Sequence, residues 1–227
     1  MREIILGKSI KGKDIKGYIF GDEKAFNKTL IIGCIHGTEH QSKEFCDFYV
    51  GEVKEKKFYK DCFLILIPCL NPDGLEKKER TNANGVDLNR NFPSSSWHHV
   101  PHKGHSAYFP GIKPASEPET KVIINLLNKY NFKKIISIHT NYTIKNPNPP
   151  MINYDGKQSM ELAEKISLVT GLPPHADVGY PTPGSLGVYI GNDLKKISVT
   201  LELDHKKKSV ELYKKCRRVF EVGVMYN

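Results

Sequence analysis

No apolar stretch in this sequence is long enough to cross a bilayer. The longest run, Cys62–Leu70, has less than half of the roughly 20 residues a membrane helix needs. The N-terminus, Met1–Lys8, lacks the apolar segment of a secretory signal, so no targeting segment is expected. Cysteine is scarce and unpatterned: there are five, an odd number, with no CxxC pair. Several lie inside apolar runs, where a thiol behaves as a small buried hydrophobe. A reducing, cytoplasmic compartment is the simplest reading. Basic runs interleaved with aromatics are also missing. The formal charge is +9, but the lysines are spread along the chain, with short runs at Lys54–Lys60 and Lys206–Lys208. This reads as a solvated surface, so neither nucleic acid nor a membrane is expected as a partner. No repeat and no linker divides residues 1–227, which leaves one domain, monomeric or homodimeric.

What is present has the pattern of an α/β protein. Four short runs rich in Ile, Leu and Val read as strands: Thr29–Ile35, Cys62–Leu70, Lys134–His139 and Ile197–Leu203. Their near-continuous apolarity predicts a sheet covered on both faces. Helices are predicted between them. Glu39–Lys56 places Phe45, Phe48, Tyr49 and Val53 on one face. Ser116-Glu117-Pro118-Glu119 predicts a helix start, with Ser116 as N-cap and Glu119 closing a capping box, running to about Tyr130. Lys157–Thr170 is a third, stopped by Gly171, and Lys207–Val222 a fourth. Asn71–Ala115 has little periodicity and reads as a long, functional loop region.

Chemistry concentrates at the ends of these runs. His36-Gly37-Thr38-Glu39 follows a strand and opens a helix, so imidazole and carboxylate can point into one site. Both are good zinc ligands, and a catalytic zinc takes about three protein ligands with one position open. His139, in Ile136-Ser137-Ile138-His139-Thr140, ends another buried strand, where α/β proteins place ligands. In Gly85–Phe92, Arg90 offers a planar fork for a carboxylate and Asn89 a second polar contact. Arg80, just upstream, can polarise a carbonyl or hold an oxyanion. Glu202 lies in the apolar strand Val199-Thr200-Leu201-Glu202-Leu203. Desolvation there raises a carboxyl pKa and suits it to general base work.

Taken together, HGTE at 36–39, NPDG at 71–74, Arg80, GVDLNRNF at 85–92, SIHT at 137–140 and TLEL at 200–203 resemble the zinc carboxypeptidase family, the M14 metallopeptidases. The motifs fall in the family's order and span nearly the whole chain. The resemblance implies a mixed, mostly parallel twisted sheet flanked by helices on both faces. It implies one Zn2+ held by His36, Glu39 and His139, Arg80 as carbonyl and oxyanion contact, and Glu202 as general base and acid. Asn89 and Arg90 would bind the substrate carboxylate. The family's mobile active-site tyrosine best matches Tyr180, with its spacing to Gly184-Ser185 off by one. Digestive members carry Arg where this chain has Thr38.

The segments Pro110–Glu119 and Thr182–Gly187 look closest to the small bacterial murein peptide amidase branch. That branch cleaves γ-D-glutamyl–diaminopimelate in murein tripeptide, which makes a small murein peptide the expected substrate. Leu186-Gly187 offers no obvious charged selector for the residue beyond the cut. His98–His105, with four of the nine histidines, lacks a carboxylate or Cys at ligand spacing and reads as a loop lining or covering the site. Cys34 reads as buried packing. Three rivals are a zinc deacylase of N-acyl amino acids (aspartoacylase or succinylglutamate desuccinylase type), a non-catalytic peptide-binding protein and a nucleic-acid binder.

Overall fold

The four apolar runs form the parallel centre of one eight-stranded sheet. A computed structural model describes residues 1–54, 59–99, 107–141 and 149–227. Its strands are β1 (Arg2–Lys8), β2 (Asp14–Gly21), β3 (Asn27–Gly33), β4 (Cys62–Ile67), β5 (Lys134–Asn141), β6 (Met151–Asp155), β7 (Pro174–His175) and β8 (Ile197–Asp204). They lie in the order β1-β2-β4-β3-β5-β8-β6-β7. β4, β3, β5 and β8 are mutually parallel. The antiparallel β2 and β6 flank them. The helices are α1 (His40–Lys54), α2 (Pro72–Lys77), α3 (Pro118–Lys129), α4 (Met160–Thr170), α5 (Ser209–Cys216) and α6 (Arg218–Met225). Among the described residues no helix is long and apolar enough to cross a membrane.

Strand alternation sorts the side chains into two layers. Ile31, Leu66, Ile136, Ile138, Leu201 and Leu203 face α1, α4, α5 and α6. That layer is cemented by aromatics, with Tyr49 and Phe220 stacked at 4.0 Å. The opposite face carries Leu30, Ile32, Phe63, Ile65 and Ile135, packed on Ile123 and Leu126 of α3. On this second face the alternation stays apolar on β2, β3 and β4. It turns polar on β5 and β8, at Ser137, His139, Thr200 and Glu202. A functional cleft therefore occupies half of a sheet face whose other half is hydrophobic core.

Several local expectations are corrected. β3 and β4 end at Gly33 and Ile67 rather than 35 and 70, because the chain turns at Cys34, whose φ is +46°, and at Pro68. Phe48 is 40% exposed and only tilts onto Tyr213. α1 starts at His40, and the expected end at Lys56 lies outside the described residues. The capping box does not form. Glu117 is the N-cap of α3, and the Ser116 hydroxyl donates to its carboxylate at 2.6 Å. Glu119 instead accepts from the Ile10 amide and from Asn82 Nδ2, so tertiary donors outcompete the local cap. The predicted helix 207–222 is two, α5 and α6, divided where Phe220 N–H tightens onto the Arg217 carbonyl. Helix 157–170 opens with a 3-10 turn at Lys157–Ser159 and ends, as read, at Gly171 in the left-handed region. Asn71–Ala115 holds α2 and a 3-10 turn at Leu88–Arg90.

Candidate active site

Two glycines lock the loop that carries His36 and Glu39 to its neighbour. A Cβ on Gly37 would lie 2.0 Å from the Gly74 carbonyl carbon, so HGTE and NPDG meet backbone to backbone. Asn71 then ties the loops together. Its Oδ1 caps α2 through Gly74 N–H, and its Nδ2 donates to the Ile35 and Arg80 carbonyls. Cys34 is buried beneath, its thiol directed at the His36 carbonyl, as the packing reading requires.

His36, Glu39 and His139 come together as the sequence predicts. All three are buried, and one ligand atom from each falls within 4.8 Å of the others. His36 Nδ1 meets Glu39 Oε1 at 2.6 Å, and His139 Nδ1 meets Oε2 at 2.9 Å. Thr140 N–H also donates to Oε2. Burial alone would raise the Glu39 pKa, but the two imidazoles hold it well below the ordinary carboxylate range. Two imidazoles converging on one buried carboxylate form an N2O donor set that fits a zinc ion. His139 Nε2 is buried without a hydrogen-bond partner among the described residues. Among those residues this is the only such cluster of His, Cys, Asp and Glu.

Asp87, a residue to which the sequence assigned no role, organises the next layer. It is fully buried and accepts from His36 Nε2 at 3.1 Å, Asn89 N–H at 2.9 Å and Arg80 Nε at 3.0 Å. Burial raises its pKa, but Arg80 and His36 pull it far below the carboxylate norm. A single carboxylate thereby orients an imidazole and aims Arg80 at the site, where Arg80 Nη1 lies 4.0 Å from Glu39 Oε1. The signal was its place inside Gly85–Phe92, read only for Asn89 and Arg90.

Glu202 stands opposite His139 in the β5–β8 register. Burial pushes its carboxyl up to about 7, against the pull of His139. Around the same cleft lie Asn89, Arg90 and Tyr180. Asn89 Oδ1 accepts from Leu186 N–H, which leaves its amide nitrogen as the donor available to a ligand. The Arg90 guanidinium donates to the Asn89 carbonyl. Arg80 and Arg90 both pack on the Tyr108 ring, at 5.1 and 5.7 Å, an aromatic clamp the sequence reading missed. Tyr180 is 44% exposed at the cleft mouth. Gly184, at φ +71°, packs against the Arg90 carbonyl, so the 182–187 segment is built onto the arginine.

Leu186-Gly187 bring no charge to the cleft, as read, and a charged residue reaches its lining from another element. Asp155 and Asn153, both on β6, line the cleft with Gly187. The sequence hid them because β6 is short and was not predicted. In the histidine loop, His98 and His99 are exposed, and residues 100–106 lie outside the described residues.

The zinc carboxypeptidase family model matches residues 1–170. Murein peptide amidase A of Escherichia coli K12 is 34% identical over 150 residues, covering 60% of this chain and 56% of that protein. The aligned part thus spans little more than half of that relative. The Vibrio campbellii murein peptide amidase A is 29% identical over 206 residues, covering 87% of this chain and 77% of the relative. The crystal structure of murein-tripeptide amidase from Escherichia coli O157 superposes with a TM-score of 0.79 at 26% identity, covering 97% of this chain and 90% of that one. The chain belongs to the zinc carboxypeptidase family.

Proposed function

We propose that this chain is a zinc-dependent amidase that hydrolyses an amide next to a carboxylate-bearing residue, in a murein peptide at the γ-D-Glu–diaminopimelate bond. The observation that carries it is the pairing of His139 with Glu202 beside a His–Glu–His cluster, facing Arg80 and Arg90 across one cleft. A murein peptide as substrate is supported by the relatives, which are murein peptide and murein-tripeptide amidases, and the choice of bond by the sequence's resemblance to that branch. His36, Glu39 and His139 would hold one zinc ion. When bound, it supplies Lewis acidity, easing proton loss from water toward neutral pH and polarising the carbonyl.

The chain's own groups do the rest. Arg90 and Asn89 fix the free carboxylate of the leaving residue, which sets the bond to be cut. Glu202 takes the proton of the attacking water, and its raised pKa makes it a competent base near neutrality. Arg80 donates to the oxygen that gains negative charge, held in line by Asp87. Glu202 then returns the proton to the leaving nitrogen. A deacylase of N-acyl amino acids would also meet a carboxylate on its leaving residue; NPDG at 71–74 and SIHT at 137–140 are what favour the peptidase.

The test is product analysis after incubation with L-Ala-γ-D-Glu-diaminopimelate, α-linked dipeptides and N-acyl amino acids, with and without chelator. Release of diaminopimelate that chelator stops and zinc restores is expected. Turnover of N-acyl amino acids alone would assign a deacylase, and no turnover by zinc-replete protein would assign a binding protein.

A further inference from the structure

Tyr108 lays one ring against two guanidiniums. The guanidinium carbon of Arg80 lies 5.1 Å from the ring centroid, and that of Arg90 5.7 Å. The two arginines are not held alike. Carboxylates fix Arg80: its Nε donates to Asp87 at 3.0 Å, and its Nη1 lies 4.0 Å from Glu39 Oε1. Arg90 is only 6% exposed, yet it makes no salt bridge among the described residues. Its guanidinium donates to the Asn89 carbonyl at 2.7 Å. A buried cation without a carboxylate is costly unless another group meets its charge. The face of an aromatic ring does so.

The ring is mounted on the segment that carries Arg90. The Asp87 N–H donates to the Phe109 carbonyl at 2.8 Å, and Asn91 Nδ2 donates to the Pro110 carbonyl at 2.8 Å. Phe109 is buried, whereas Tyr108 is half exposed. Tyr108 is thus held from positions 87 and 91, which flank Asn89 and Arg90. Two guanidiniums in one cleft repel, and a long arginine side chain gives up rotamer freedom to stay in place. One ring that attracts both opposes the repulsion and limits the freedom.

We propose that Tyr108 is a positioning residue: its ring holds Arg90 at a set offset from Arg80, and so fixes the distance between the carboxylate anchor and the oxyanion contact. This rests on reading the cleft as the amidase site. That distance decides how far from the cut the free carboxylate of the substrate can lie. The role belongs to the ring and not to the hydroxyl, because both guanidiniums lie over the ring.

The experiment compares the zinc-loaded protein with Tyr108→Leu, with Tyr108→Phe, and with Tyr108→Leu combined with Arg90→Ala. Isothermal titration with free meso-diaminopimelate, a product of the proposed reaction, reads the anchor without turnover. Tyr108→Leu should weaken binding about tenfold, and Tyr108→Phe should restore it. In the Arg90→Ala background Tyr108→Leu should cost nothing further, since it acts through that arginine. Cleavage reads the spacing. The substrates are L-Ala-γ-D-Glu-diaminopimelate and its homologue with one methylene inserted before the anchored carboxylate. The unaltered protein should favour the first by about tenfold or more, and Tyr108→Leu should narrow that ratio. A merely structural loss lowers both rates and leaves the ratio in place. Melting temperature checks the fold, and Tyr108→Gln replaces a Leu variant that does not fold. The assignment is overturned if the unaltered protein does not bind diaminopimelate, if Tyr108→Leu leaves binding unchanged, or if its loss is equal with and without Arg90. Binding that depends on Tyr108 without cleavage of either substrate sinks the amidase reading and leaves the positioning role standing. Cleavage with an undiminished ratio in Tyr108→Leu does the reverse.

Discussion

Glu202 of β8 and His139 of β5 stand directly opposite one another on adjacent parallel strands. The register sets the proposed base beside the proposed metal ligand with no loop involved, so the sheet itself holds their geometry. Replacing the carboxylate by its amide removes the proton acceptor and little else. Glu202→Gln should retain zinc and lose about 10²- to 10⁴-fold in kcat. Metal content by mass spectrometry and steady-state rates check both halves. An active Glu202→Gln protein would end the general-base assignment.

The same residue sets a pH limb. Burial raises its carboxyl to about 7, and the base works only when ionised. Activity should therefore fall as pH drops through the folded-state pKa. The positive charge of a bound metal draws that value down, so the midpoint of kcat/KM lies at or below about 7. A midpoint clearly above 7 would show that another group controls the acid side.

Asp87 orients His36 and Arg80 at once. Asp87→Asn keeps the shape but replaces an acceptor by a group that also donates. By analogy with other partners of metal-binding histidines, zinc affinity should fall about 10- to 100-fold. Competition against a fluorescent chelator measures it. Unchanged affinity would reduce Asp87 to a structural acid.

Arg90→Ala should raise KM for free-carboxylate peptides by roughly 10- to 100-fold, the usual value of a charge-assisted contact. Peptide amides lack the carboxylate and should be affected little. Equal effects on both would remove the anchoring role.

Asp155 makes a prediction about stability rather than rate. Its folded pKa, about 6, lies above the ordinary aspartate value, so its ionised form is disfavoured in the fold. The sign follows: the penalty is absent below about pH 4, grows as pH rises and is complete above about 6. A shift of this size corresponds to roughly 3 kcal/mol, reduced by solvent in the cleft to about 1–2 kcal/mol. Asp155→Asn should raise the unliganded protein's melting temperature at pH 7.5 and leave it unchanged at pH 4. Destabilisation at pH 7.5 would mean the carboxylate supports the fold.

The centre of the sheet was legible because β3, β4, β5 and β8 are buried on one or both faces and carry apolar runs. β1, β2 and β6 escaped because they are edge or near-edge strands with interrupted patterns, and β7 has only two residues. The convergence of His36, Glu39 and His139, and of Arg80, Asn89, Arg90 and Glu202, on one cleft was legible because each is a polar residue at a strand end or in a dense polar loop. Asp87 was visible but silent, since its role depends on a partner 51 residues away. Asp155 could not be found without β6, whose register with β8 alone places it in the cleft. The capping box at Ser116 failed because local sequence does not reveal that Ile10 and Asn82 compete for Glu119.

In the proposed reaction, water activated beside His36, Glu39 and His139 breaks an amide one residue from an anchored carboxylate. Hydrolysis of L-Ala-γ-D-Glu-diaminopimelate in ¹⁸O-water follows that oxygen. Zinc-dependent release of L-Ala-D-Glu carrying one ¹⁸O in its γ-carboxylate, and of unlabelled diaminopimelate, is expected. Intact tripeptide in the presence of zinc-replete protein, or a cut at the Ala–Glu bond, would contradict it.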